Sequence, residues 1–190
     1  MNPNTPKKKP LAGGNALLVR VAVVGGGLAV LMILIVVVMS ALTPKSSTSG
    51  LIAIAERQQE IIRITTAANG QTTGQDTANF VATVNASITS SQQQIIAYLA
   101  THSVKINKKV LALDQNPQTD TFLTNAANAN NYDPALAQTL TQQLNTYEGL
   151  LQTTFKQTSS KSTKQLLQGC YTSASKLLVQ AKALSAGSTS

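Results

Sequence analysis

Residues Thr77–His102 read TANFVATVNASITSSQQQIIAYLATH, and the spacing of their larger side chains decides how the rest of the chain is read. Val81, Val84, Ile88, Ser91, Ile95, Tyr98 and His102 recur at alternating intervals of three and four. A helix of 3.6 residues per turn lines such positions up on one stripe, whereas a strand needs strict alternation. The spacing predicts a helix over 77–101, bending around Thr101–Ser103, with a heptad-like seam. That seam holds polar residues as well. Ser91, Tyr98 and His102 are the cluster on which a ligand-binding reading would rest.

The same period recurs on both sides. Upstream, Leu51, Ile54, Ala55, Gln58, Ile61 and Ile62 share a face of 51–68, with Glu60 free to pair with Arg57 or Arg63 on the outer face. Asn69-Gly70 suits a left-handed C-terminal position, and Asp76 is an N-cap candidate for the next helix. Downstream, Ile106, Val110 and Leu113 extend an apolar stripe to Asp114, where Asn116-Pro117 is expected to stop it. Asp120–Asn130 holds a short helix anchored by Phe122 and Leu123. Asp133-Pro134 is a start signal, with Asp133 as N-cap, for a helix carrying Leu136, Leu140, Leu144, Tyr147, Leu151 and Phe155. After a break at Ser159-Ser160, Thr163, Leu167, Cys170, Ala174, Leu177, Ala181 and Leu184 form the last seam. The prediction is an all-α fold, an antiparallel bundle of four to five helices over 51–185, ending in a frayed tail at 186–190.

Ahead of this domain lies a segment of different character. Val21–Met39, VAVVGGGLAVLMILIVVVM, runs for 19 residues without a charge. About 20 apolar residues in a helix cross a hydrocarbon core of about 30 Å, so residues 17–42 are read as a single N-terminal transmembrane helix. A cleaved signal has a shorter apolar region and a small-x-small exit; Met39-Ser40-Ala41-Leu42-Thr43-Pro44 offers none. A secreted protein remains the alternative if cleavage occurs. Residues 1–16 form a basic tail read as disordered. Lys7, Lys8, Lys9 and Arg20 precede the run with no acid among them, which places the N-terminus in the cytoplasm and the C-terminal domain outside it. Residues 43–50, rich in Ser, Thr, Pro and Gly, are read as a flexible linker. Ala22 with Gly26, and Gly25 with Ala29, are small-xxx-small pairs that offer a face for self-association and hence a homo-oligomer. Glycine is also simply commoner in spans.

Charge limits the partners. Four of the 15 basic residues lie before the apolar run, leaving 11 against 7 acids after it. A balance of +4 over 148 residues argues against a nucleic-acid binder, which would show a basic stripe on the folded domain.

Motifs for chemistry are missing. One His and no Glu-x-x-His give no metal set of the kind helical bundles use, and no cofactor is implied. Cys170, the only cysteine, falls in an apolar seam and reads as a small buried hydrophobe. GxxxxGK[ST], GxSxG and HExxH do not occur. Asp114, Asp120 and Asp133 read as turn or cap residues, and Asn85-Ala86-Ser87 is a glycosylation sequon on a predicted helix. The expectation is a non-enzymatic single-pass membrane protein. Its extracytoplasmic bundle would serve as a structural or interaction module at the cell envelope, with a protein or cell-wall partner. A sensor-like bundle taking a small ligand at Ser91, Tyr98 and His102 is the alternative.

Overall fold

The computed structural model describes residues 47–187, with side chains to 185. The basic tail, the apolar run with its small-residue pairs, and positions 43–46 of the linker all lie outside the described residues. Among the described residues no helix is long and apolar enough to cross a membrane.

Six α-helices and one 3₁₀ turn follow one another with no strand among the described residues: α1 (Ser47–Ala68), α2 (Gln75–Thr101), α3 (Lys108–Leu111), the 3₁₀ turn Ala112–Asp114, α4 (Pro117–Asn128), α5 (Tyr132–Gln157) and α6 (Lys161–Gly187). The fold is all-α as the periodicity requires. The count exceeds four to five because the stretch after α2 folds into two short helices. Ser47–Gly50 belong to α1 rather than to a linker: Gly50 is buried against Thr154 of α5, so tertiary packing overrides the linker-like composition.

The four long helices form the bundle, and their pairings fix its topology. On α1 and α5, Gly50 meets Thr154 while Gln58 bonds to Tyr147 and Arg57 to Gln143, so the two helices are antiparallel. On α2 and α6, Tyr98 meets Thr163 and Ser91 meets Cys170, again antiparallel. Short turns make α1–α2 and α5–α6 antiparallel as well. It follows that α2 and α5 run in the same direction, so residues 102–131 carry the chain back along the bundle. α3, the 3₁₀ turn and α4 are that crossover, a connection long-known helical bundles also use.

The seams supply the core. Ile54, Ile61, Val84, Ile88, Ile95, Leu136, Leu140, Leu144, Tyr147, Leu151, Leu167 and Ala174 are all buried. On α1 the stripe continues through Ile64 and leaves Ile62 half-buried, as a seam stepping by alternate threes and fours from Ile61 does. The ends of the stripes emerge: Leu113 is 75% and Phe122 40% exposed, so Leu123 alone of the expected pair anchors α4.

Helix ends follow local chemistry. Gly70 takes φ +78° after α1, as its sequence position predicts. Two more helices close in Schellman motifs. After α2, Ser103 (φ 62°) and Val104 donate to Ala100 and Leu99 carbonyls; after α4, Asn130 (φ 53°) and Asn131 donate to Ala127 and Ala126. Asn116 caps α4 by accepting from the Gln118 N–H at 3.0 Å, with Pro117 in its first turn. The Asn-Pro pair thus begins a helix as well as ending the stripe before it.

Candidate functional site

Three groups of polar side chains stand out, at mid-bundle, under the crossover and at one end. At mid-bundle, Gln58 donates its amide N–H to Tyr147 Oη at 2.8 Å, with both side chains buried. Cys170 and Ser91 lie against the same tyrosine. Burial drives the Tyr147 phenol well above its usual range, and burial likewise pushes the Cys170 thiol up. A thiol held protonated in this way is a poor nucleophile. Gln58 Oε1 is buried without a hydrogen-bond partner among the described residues.

Under the crossover sits an ion-pair network. Glu60, expected on the outer face of α1, is fully buried, because α3 and the 3₁₀ turn pack against α1. Arg63 grips it with two N–H bonds of 2.7 and 2.9 Å, and the Asn116 N–H donates at 3.3 Å. Arg63 also donates to Asp120 at 2.6 Å. Its guanidinium is held charged chiefly by the Glu60 bond, against the opposing effect of burial. Arg57 donates to Gln143 at 2.6 Å and to Asp114 at 3.1 Å. Its Nε lies 2.9 Å from Asp114 Oδ2, an ion-pair distance, but its N–H points too far off line to bond. Asp114 and Asp120, expected as turn or cap residues, therefore clamp the crossover to α1.

Asp133 also does more than start a helix. Its carboxylate accepts from the Gly74 N–H at 2.6 Å and from the Thr73 N–H at 3.2 Å. It joins the α1–α2 turn to the start of α5, and the cap position itself belongs to Asn131. Asp76 likewise lies in the first turn of α2, with Gly74 as the cap.

The expected cluster of Ser91, Tyr98 and His102 is divided between two places. Ser91 faces Tyr147 and Cys170. Tyr98 is seven residues further on, about 10 Å along the helix. Its hydroxyl bonds Thr163 at 2.7 Å, Ser162 at 3.2 Å and Ser160 at 3.5 Å, which together lower its pKa, Ser160 having the largest effect. His102 is exposed, its ring 4.4 Å from that of Tyr98 and its Nδ1 2.9 Å from the Tyr98 carbonyl oxygen. His102 and Cys170 are thereby kept apart, with no shared nucleophile–base geometry.

Two surface features complete the inventory. A cleft of about 300 Å³ between α5 and α6 is lined by Leu151, Phe155, Leu167 and Tyr171 among others, and the Lys164 ammonium stands 5.4 Å over the Phe155 ring. The sequon residue Asn85 is half-buried between α1 and α2, its amide donating to Thr65 at 2.8 Å and Thr66 at 3.2 Å. Among the described residues no group of three His, Cys, Asp or Glu side chains is placed to hold a metal ion. Comparison with family models, curated proteins and solved structures returns no match.

Proposed function

We propose that this chain is a non-enzymatic, single-pass membrane protein whose helical bundle lies outside the cytoplasm and serves as a structural or interaction module of the cell envelope. The observation that carries the reading is the uncharged run Val21–Met39 behind four basic residues, followed after seven residues by the first helix of the bundle. Such a run is long enough to span, and the basic residues ahead of it set its direction. The use made of the buried polar side chains supports a scaffold: Arg57, Gln58 and Tyr147 bond α1 to α5, and Glu60 bonds α1 to the cap residue of α4.

Extraction of membranes with alkaline carbonate tests the anchor. The full chain, tagged ahead of Met1, is expected in the pellet at full length. Release into the supernatant without the tag would favour the secreted alternative instead.

A further inference from the structure

We propose that one end of the bundle docks on the anionic lipid headgroups of the membrane that anchors the chain, through Lys105, Lys108, Lys109, Lys156, Lys161 and Lys164. The inference rests on the reading of Val21–Met39 as a span. The four long helices meet at this end. α1 and α6 start there, and α2 and α5 finish there, as the Gly50–Thr154 and Tyr98–Thr163 contacts show. Val104 is tied back to Leu99 at 2.9 Å, which holds Lys105 beside the end of α2. Lys108 and Lys109 follow in α3, which packs against α1. Five of the six ammonium groups are on exposed residues, and Lys164 is half-buried over Phe155.

Acids are sparse in the segments that carry them. Residues 77–113 and 149–190 contain no Asp or Glu, and α1 has none before Glu56. Asp76 and Asp133 lie at the opposite end, and Asp114 and Asp120 are paired with arginines. Both arginines of the domain are therefore engaged under the crossover. What remains is lysine alone, compact point charges suited to a diffuse anionic surface rather than to forked recognition of one shaped anion. The chain enters the bundle at this end, through the start of α1. Seven residues separate Met39 from Ser47, a reach of at most about 29 Å when fully extended, of which headgroups occupy roughly 5–7 Å. Tethering at such short range makes docking an intramolecular event, and one that salt weakens.

The test uses the full chain in lipid nanodiscs, either phosphatidylcholine alone or phosphatidylcholine mixed with phosphatidylglycerol, each doped with a headgroup-nitroxide quencher. A fluorophore is placed on Ser159→Cys, or on Gln71→Cys at the far end, in a Cys170→Ala background. Quenching at position 159 is expected to rise several-fold in the anionic discs, to fall back in high salt, and to lose its lipid dependence when Lys156, Lys161 and Lys164 become Gln. Position 71 should respond to none of these. Equal quenching in both discs, with the chain inserted in each, overturns the docking and leaves the span reading intact. Failure of the chain to enter either disc overturns the span reading itself. Displacement from anionic discs by a soluble anionic wall polymer at matched charge would assign the lysines to that polymer instead of lipid.

Discussion

Tyr147 and Gly50 show how finely single residues set the helix spacing. The Tyr147 hydroxyl satisfies the buried Gln58 amide at 2.8 Å. Tyr147→Phe leaves that amide without a partner, which costs about 1–3 kcal/mol. Adding Gln58→Met should recover most of the loss, because both polar groups then leave the core together and Gln58 Oε1 is already unpartnered. Urea denaturation of the two single variants and the double checks this; additive losses would show that the pair is not the source of the effect. At Gly50, an added Cβ would lie 2.6 Å from Thr154 Oγ1 and 2.7 Å from its Cγ2. Every staggered threonine rotamer keeps one of these two positions filled, so α1 and α5 have to separate. Gly50→Ala is expected to destabilise by about 1–3 kcal/mol despite alanine's better helix propensity. Thermal melts of Gly50→Ala with and without Thr154→Ala test the cause, since the second change should restore stability. Composition alone put Gly50 in a linker; a close approach between helices distant in sequence leaves no local trace.

At the scale of elements, the crossover is held by charge as well as by apolar area. It buries Leu123 and Ala126, packs Val104, Ile106 and Leu111 part-buried against the core, and leaves Leu113 and Phe122 exposed. The grip comes from Glu60, Arg63, Asp120, Arg57 and Asp114. Glu60→Ala leaves the half-buried Arg63 guanidinium and the Asn116 N–H each short of an acceptor, a loss of about 1–3 kcal/mol, limited because Arg63 retains Asp120. Hydrogen exchange should show protection lost first in 108–128, with α5 and α6 little changed; uniform loss would contradict the clamp. The last seam makes a prediction in pH. Burial raises the folded pKa of Cys170 above its usual 9.0, so its contribution to stability is intact below that value and declines as pH rises toward the folded pKa. Urea midpoints should hold to about pH 9 and fall beyond it, and Cys170→Ala should move the onset toward 10.0, where Tyr147 would ionise on unfolding. An onset unmoved by Cys170→Ala would contradict this account. The long helices were legible because period-3.6 stripes are local signals. The crossover was less so: α3 and α4 are too short to show a period, and burial of Glu60 depends on what lies over it.

For the whole molecule, sequence and structure carry different parts of the argument. The apolar run and its basic flank carry the proposed anchor and its direction, while the described residues give a bundle whose polar interior is engaged in holding helices together. The expected polar cluster could not be checked by spacing alone. Ser91 and Tyr98 share a stripe, but about two helical turns place one in the core and the other at the bundle's end. The lysine-rich end was hidden for a related reason, since its charges come from two segments about 50 residues apart that only the fold unites.

Orientation is the claim on which the account turns, and labelling of intact cells tests it most directly. Single cysteines at Ser47 and Ser188, in a Cys170→Ala background, would be exposed to a membrane-impermeant maleimide while the chain retains a tag ahead of Met1. With the bundle outside the cytoplasm, both positions are labelled on full-length, tagged protein before lysis. Labelling only after the cytoplasmic membrane is opened, in spheroplasts as well as whole cells, would contradict that orientation.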